Sequence, residues 1–308
     1  MQTILGANGQ IGTELAQVLR QEYTQSIRLV SRNPNKVHPS DEIVSADLLD
    51  YAQTERAIAG SHIVYLCAGM PIDSALWLKQ WPIMMANVIK ACAHHKAKLV
   101  YFDNTYMYQQ SAQLQSESSP FEPHGSKGHA RAQAAQMLLT AMDNHQIEAM
   151  ICRAPEFYGP SKTQSITNAT VLDKLKSGKK ALVFMRDDTL RTLIYTPDAS
   201  RAMALLGNTP DAYNQTWHLP CDDNRLTYAE IITLAQSILN RPCGYTVLKP
   251  WQHTLIGLFN KQVRETKELL GRYTADNLFD STKFKTRFPD FEITRYEAGL
   301  RHTLLDVD

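Results

Sequence analysis

The chain has 308 residues, long enough for one large domain or two closely joined ones, and 44% of them are hydrophobic and 20% charged, as in ordinary globular proteins. Its 32 basic residues against 31 acidic ones leave it near neutral, which argues against nucleic acid or another polyelectrolyte as a partner. The five cysteines are scattered and never in C-x-x-C spacing, which excludes a disulfide frame or zinc site and predicts reduced thiols in the cytoplasm; with no leader-like start and no run near the ~20 apolar residues of a span, no membrane partner is expected.

Met1 to Leu5 reads as a short buried strand. Gly6, Gly9 and Gly12 follow in G-x-x-G-x-x-G spacing, and from Thr13 the pattern turns helical, with Leu15, Val18 and Leu19 on one face. Strand, glycine turn and helix is the order that lays a dinucleotide diphosphate on a helix N-terminus, where N–H groups and the macrodipole favour negative charge. Gly6 would permit the tight turn, Gly9 the close approach of phosphate, and Gly12 the packing of helix on strand. Asn8, Gln10 and Ile11, between the glycines, are expected to line the same cradle.

Ser26 to Val30 is the second expected strand, ending at Ser31-Arg32-Asn33-Pro34. An acid at this strand end would bind the 2′-hydroxyl of NAD, whereas Arg accommodates the 2′-phosphate of NADP. Here stand Ser31 and Arg32, with no acid before Asp41, so NADP is favoured over NAD. Glu42 to Ala46 reads as a third strand, followed by Asp47-Leu48 and a helix from Tyr51 to Ala59. His62 to Leu66 is an apolar run of the kind buried on both faces in a parallel sheet, ending at Cys67-Ala68-Gly69, small residues able to pass beneath a cofactor.

A helix from Leu76 to His95 is expected next, its terminal His94-His95 pair acting as a cap, then a strand from Lys98 to Phe102. Strands alternating with helices predict an open, doubly wound parallel sheet. Asp103 to Tyr108 follows the fifth strand at its carboxyl end, where ligands bind in such sheets. Gln109 to Glu122 reads as a polar surface loop, Lys127 to Asp143 as a helix with His129 and Arg131 on its solvated side, and Glu148 to Cys152 as the sixth strand. Beyond Arg153 the pattern predicts helix from Val171 to Leu175, strand from Leu190 to Tyr195, a helix capped by Asp198, and strand from Trp217 to Leu219. A helix opened by a capping box of Thr227 and Glu230 should run to Leu239, and a last one from Thr294 to Leu305. The apolar stretch Trp251 to Phe259 fits core, oligomer surface or a lid over substrate, and no metal-binding spacing is evident.

Taken together, GANGQIG at Gly6 to Gly12, Asp47-Leu48, Cys67-Ala68-Gly69, VYFDNTYMY at Val100 to Tyr108, RAPEFYGP at Arg153 to Pro160, IYTPDASRA at Ile194 to Ala202 and WHL at Trp217 to Leu219 resemble the extended short-chain dehydrogenase/reductase family, which includes nucleotide-sugar epimerases and dehydratases. The resemblance implies a Rossmann-type domain over 1–155, with 190–215 returning to it, and a smaller C-terminal α/β substrate domain over 156–189 and 216–308. It also implies a Ser or Thr after the fifth strand and a Tyr-x-x-x-Lys on the next helix. Lys127 matches the lysine, which in the family lowers the phenol's pKa and holds the ribose. Pro123, however, stands where the tyrosine should be, and Asn104, with Thr105 beside it, falls at the Ser/Thr position. The chain therefore resembles an atypical branch without the tyrosine.

Replacement proton donors near this position are Tyr106, Tyr108, His124 and Lys127 itself; of these, His has the reference pKa best suited to the task. Asn104 would hydrogen-bond a substrate oxygen. The leading expectation is an NADP-dependent oxidoreductase acting on a small or nucleotide-linked carbonyl or alcohol, as monomer or homodimer. A sensor or scaffold that holds NADP(H) without turnover, and a nucleotide-sugar epimerase or dehydratase, are the alternatives.

Overall fold

The computed structural model describes residues 1–161 and 163–305; the last three residues of the expected 216–308 segment lie outside it. In chain order the first half comprises β1 (Gln2–Leu5), α1 (Gln10–Glu22), β2 (Ile27–Ser31), β3 (Glu42–Ser45), α2 (Tyr51–Ile58), β4 (Ile63–Leu66), α3 (Ser74–His95), β5 (Lys98–Asp103), α4 (Gly125–Asp143) and β6 (Ala149–Arg153). There follow β7 (Glu156–Tyr158), α5 (Asp173–Lys176), β8 (Ala181–Phe184), β9 (Leu190–Arg191), β10 (Leu193–Tyr195), α6 (Thr196–Gly207), β11 (Gln215–His218), β12 (Leu226–Thr227) and α7 (Tyr228–Leu239). The chain ends with β13 (Tyr245–Leu248), α8 (Pro250–Phe259), α9 (Lys261–Glu265), a 3-10 segment Lys267–Tyr273, α10 (Thr282–Arg287) and α11 (Tyr296–Leu305).

Seven of the described strands form one parallel sheet in the order β11-β6-β5-β4-β1-β2-β3. The order reverses direction at β1, and the crevice beyond the carboxyl ends of β1 and β4 is where such a sheet takes a ligand. Leu5 is level with Val30 on one side and Leu66 on the other, so the three loops that follow open at the same height. One face of the sheet is covered by α1 and α6 through Leu15, Leu19, Met203 and Leu206. The other is covered by α2, α3 and α4 through Ile58, Trp81, Met85, Val88 and Leu138. A third core, with Leu175, Ile231, Ile232 and Leu300, holds the C-terminal lobe together.

Several local expectations need correction. Leu190 to Tyr195 is two strands, not one: β9 pairs antiparallel with β12, and β10 parallel with β7. The break falls at Thr192, whose N–H and hydroxyl both donate to the carbonyl of Asn277, turning the chain between partners. Asp198 is not a cap, because α6 already starts at Thr196, with Tyr195 before it and Pro197 in its first turn. Asp198 instead accepts from the Thr294 N–H at 2.7 Å and from Arg201 at 3.0 Å, tying the C-terminal segment to α6. Val171 lies in a π turn, Asn168–Leu172, that leads into the single α turn of α5. The expected boundary at 215/216 falls inside β11, a strand of the central sheet. The Gln109 to Glu122 stretch is irregular as expected, but Gln115 within it is buried and bridges to Phe279. The capping box of Thr227 and Glu230 is present at the start of α7.

Candidate active site

Each glycine of the first loop has a separate steric reason. Gly6 adopts φ +85°, and a Cβ there would stand 2.4 Å from the Ala68 Cα, so β1 and the turn after β4 touch backbone to backbone. At Gly12 a Cβ would lie 2.8 Å from the Ala7 Cα, which makes this the contact of helix on strand. Gly9 is different. It is the N-cap of α1, and a Cβ would meet nothing nearer than the Gly6 carbonyl at 3.5 Å, so it faces open space in front of the helix. No side chain caps this helix end. An uncapped helix N-terminus behind a glycine open to solvent fits a diphosphate.

Around the cradle, Asn8 donates to the Asn33 carbonyl at 2.6 Å and accepts from the Asn35 N–H at 3.1 Å, joining the first loop to the loop after β2. Gln10 donates to Glu14 at 2.7 Å, and the Ile11 carbonyl accepts from Ser200 at 3.3 Å, binding α1 to α6. Ser31 is half-buried at the end of β2, Arg32 is exposed, and Ser31 Oγ accepts the Asn33 N–H at 3.2 Å. Asp41, the first acid after them, is buried, bound to Arg20 at 2.8 Å and taken up by the Val37 and His38 N–H groups at 3.1 and 2.6 Å. Asp47 accepts the Leu49 N–H, and the Leu48 carbonyl accepts from Asn87 at 3.0 Å, making a firm turn between β3 and α2. Cys67 and Ala68 are half-buried and Gly69 exposed, all on the loop that abuts Gly6.

At the other end of the crevice the candidate catalytic residues divide. Asn104 forms a local turn, its Oδ1 accepting the Tyr106 N–H at 2.9 Å. Tyr106 stacks on Trp77, lies 5.4 Å from the Arg272 guanidinium, and borders the first turn of α4, where a Cβ on Gly128 would meet the Tyr106 carbonyl at 2.9 Å. Burial pushes its phenol above the usual range. Tyr108 is held elsewhere, buried, its hydroxyl taking a hydrogen bond from Arg153 at 2.5 Å and lying 2.8 Å from His218 Nε2. Burial raises its phenol too, against the opposing pull of Arg153. His218 is held well below its usual pKa by burial and then by Arg153, so it stays neutral; its other ring nitrogen faces the Asp280 carbonyl at 2.7 Å. His124 is exposed at the N-cap of α4 and makes no capping bond.

Lys127 is 1% exposed, and its ammonium meets four acceptors: Ser74 Oγ at 2.7 Å, the Glu265 carbonyl and Glu268 Oε1 at 2.8 Å, and Glu265 Oε2 at 3.1 Å. An ammonium has three hydrogens, so none remains for a ribose hydroxyl in this arrangement. Glu265 is locked in turn by the Ser74 N–H and hydroxyl, which together with Lys127 hold its carboxyl below the usual range against partial desolvation. Glu268 accepts the Ser126 N–H at 2.6 Å, capping α4 from outside the helix with a negative charge that favours its N-terminus. The strap from α9 through Lys267–Tyr273 thus closes the end of the crevice where Lys127 would meet a ribose. Arg272 continues it, buried and donating to the Thr105 carbonyl at 3.0 Å and hydroxyl at 2.6 Å. The residues present therefore fit a dinucleotide at its diphosphate half and do not fit it at the Lys127 end unless the strap moves.

The strap residues Glu265, Glu268 and Arg272 stand more than a hundred positions beyond Lys127, and no linear spacing announces them. Arg131 also departs from expectation: it is buried, not solvated, pairing with Asp103 at 2.7 Å and lying 4.1 Å over Trp81, while Arg153 takes the other Asp103 oxygen at 3.3 Å. His129 is exposed, as expected. His95 is not a cap, since Lys96 takes the left-handed C-cap of α3 and His95 Nε2 bonds Glu55 at 2.6 Å. With His94, these residues place three donor atoms within 4.8 Å of one another, the group of that kind found among the described residues.

Solved structures resemble this fold along nearly its whole length. UDP-glucuronic acid 4-epimerase from Bacillus cereus, in complex with UDP-glucuronic acid and NAD, gives a TM-score of 0.81 at 16% identity, covering 99% of this chain and 98% of its own. UDP-glucose 4-epimerase from Thermus thermophilus, in complex with NAD, gives 0.78 at 14% identity, with 99% and 98% covered. dTDP-glucose 4,6-dehydratase from Bacillus anthracis gives 0.77 at 16% identity, with 99% and 95% covered. No curated protein matches the sequence. The model of the NAD dependent epimerase/dehydratase family matches residues 3–218, from β1 to the end of β11, and the chain belongs to that family.

Proposed function

We propose that the chain is an NADP(H)-dependent oxidoreductase acting on a carbonyl or alcohol, small or nucleotide-linked, and that it turns over only when the Glu265–Arg272 strap leaves Lys127. The observation that carries this is the first loop: an uncapped α1 with Gly9 facing open space, beside a β2 end that offers Ser31 and Arg32 and no available acid. NADP over NAD rests on Arg32, since a guanidinium matches a phosphate in charge and donor geometry. The solved epimerases cited above hold NAD, which makes NAD the rival dinucleotide. One of them also holds a UDP-sugar, which supports a nucleotide-linked substrate and keeps an epimerase or dehydratase reaction as the near alternative.

When bound, the nicotinamide would exchange a hydride with substrate. The chain's own part is to orient and to move a proton. Asn104 would present a polar group to the substrate oxygen, and a freed Lys127 would take the ribose hydroxyls. Of the expected proton donors, Tyr108 is committed to Arg153 and His218, and His124 lies on the outside. Tyr106, beside Asn104 and the first turn of α4, is the phenol left for that role.

A second reading, a sensor that holds NADP(H) without turnover, draws on Pro123 and on the saturated Lys127. Fluorescence titration of NADPH and NADH tests the cofactor, with Arg32→Ala expected to remove the preference for NADPH. Consumption of NADPH against a panel of carbonyls, nucleotide-sugars included, separates the readings. Tight binding with no turnover across the panel favours the sensor, and failure to bind either dinucleotide defeats both.

A further inference from the structure

We infer that Glu55, His94 and His95 form a zinc site that clamps α2 to the end of α3. His95 Nε2 lies 2.6 Å from Glu55 Oε1, and His94 Nε2 lies 4.0 Å from the same oxygen. The three ligand atoms all fall within 4.8 Å of one another. Two imidazoles and a carboxylate are donors for a borderline divalent ion such as Zn²⁺; Mg²⁺ and Ca²⁺ take oxygen instead. At metal–ligand distances of about 2.0–2.2 Å, the ligand atoms of a tetrahedral site stand about 3.4 Å apart. The separations to Glu55 fall on either side of that figure. An entering ion would part His95 from Glu55 and draw His94 toward it, each by roughly 1 Å or less, which side-chain rotation alone can supply.

The backbone holds these groups in place. Lys90 of α3 lies 4.1 Å over the Tyr51 ring of α2, and one turn later on each helix His94 faces Glu55, so the site is the second rung of the same helix contact. The last turn of α3 is closed by Lys96 at φ 53° and by the Ala97 N–H on the Cys92 carbonyl at 2.9 Å. The two imidazoles meet edge to face, their centroids 4.8 Å apart. Their position at the carboxyl end of α3 adds the negative end of the helix dipole, which favours a cation. Of the neighbouring cations, Lys90 is turned onto Tyr51, and Arg56 and Lys96 are exposed to screening water. His95 and Glu55 are half-buried while His94 faces solvent, so three protein ligands would leave a fourth position for water. A plain hydrogen bond from His95 to Glu55 is the rival account. It uses one imidazole where the zinc site uses both, which makes His94 the residue that separates them. Lys98, three positions on, opens β5, so the site lies at the amino ends of the strands, opposite the crevice, and acts on the fold and not on the chemistry. No linear spacing announces it, because Glu55 stands 40 positions from His95.

The test is calorimetric titration of the chelator-treated full chain with Zn²⁺, beside thermal melting with and without the ion. The expected result is saturable binding of a single ion per chain and a melting temperature raised by several degrees in excess zinc, because an ion held only by the folded state stabilises it. His94→Ala should lower the affinity roughly tenfold or more, yet melt like the native chain when metal-free, since that side chain is largely exposed. Glu55→Gln should lose the same affinity. His129→Ala, which removes an exposed histidine from α4, should bind as the native chain does. Mg²⁺ in excess should not displace the zinc. Neither readout needs a dinucleotide or turnover, so the result stands apart from the proposed activity. Absence of saturable binding, equal affinity in the native chain and His94→Ala, displacement by Mg²⁺, or a melting temperature lowered by zinc would overturn the inference.

Discussion

Glu268 grips Lys127 from two directions: one carboxylate oxygen accepts the backbone N–H at 3.1 Å and the side-chain ammonium at 2.8 Å. The same carboxylate caps the first turn of α4, so a single side chain both fixes the helix start and occupies the lysine. Glu268→Gln keeps the shape, weakens the grip and should lower stability by about 1–3 kcal/mol, the cost of a charge-assisted bond lost at a largely covered site. If a ribose competes for Lys127, the variant should also bind NADPH severalfold more tightly. Thermal melting and fluorescence titration on the same samples check both; lower stability with unchanged affinity would make the grip structural only.

The glycine loop gives a prediction with opposite outcomes at two neighbouring positions. Gly9→Ala adds a Cβ into open space at an ordinary negative φ, so the protein should fold and melt as before. That Cβ, however, points where phosphate oxygens would lie, and NADPH affinity should fall by about tenfold or more. Gly12→Ala drives a Cβ against the Ala7 backbone at 2.8 Å, where nothing flexible can yield, and should lower the melting temperature. A Gly9→Ala chain that binds as tightly as the native one would remove the cradle from the cofactor site.

Tyr106 and Tyr108 are two residues apart but should respond differently to loss of their hydroxyls. Tyr108→Phe leaves Arg153 and His218 without a shared buried partner and should cost about 1–3 kcal/mol, with turnover changed less than severalfold. Tyr106→Phe should leave stability and NADPH binding nearly intact and abolish turnover. Denaturant midpoints and steady-state rates, measured on an active carbonyl from the panel, check the pair. Turnover that survives in Tyr106→Phe would take the proton role from this phenol.

What could be read from the sequence was what is local. The strand, glycine turn and helix at Gly6 to Gly12 are contiguous, and the roles of Gly9 and Gly12 follow from neighbours in the chain, whereas Gly6 also makes room for the Ala68 backbone on the turn after β4. The inner strands β4, β5 and β6 announce themselves as apolar runs because both of their faces are covered, whereas the edge strand β3 is mostly exposed. The strap was illegible because its meaning lies in pairing: Glu265 and Glu268 look like solvated acids on a short helix until Lys127, 138 and 141 positions away, is seen between them. Arg131 misled for a similar reason. Its helical position reads as surface until Asp103 and Trp81 are placed beneath it. Leu190 to Tyr195 has the composition of one strand, and only the Asn277 carbonyl, bonded twice at Thr192, divides it.

Glu14 makes stability depend on pH near neutrality. It lies between α1 and α6, accepting from Gln10 at 2.7 Å, Ser200 at 3.1 Å and Thr196 at 3.2 Å. Burial raises its carboxyl from 4.5 to about 7, the three hydrogen bonds opposing and Asp198 assisting. The folded chain therefore holds this proton more tightly than the unfolded chain does. Between pH 4.5 and about 7 the folded state binds more protons, so the contribution of Glu14 to stability falls as pH rises through that window and levels off above it. The full loss is on the order of 3 kcal/mol. Glu14→Gln keeps the side chain's shape and most of its hydrogen bonding without the buried charge. It should be more stable than the native chain at pH 8, with the gap closing toward pH 4.5. Denaturant midpoints of the two chains across this range decide it, and parallel curves would show that Glu14 ionises as easily in the fold as out of it.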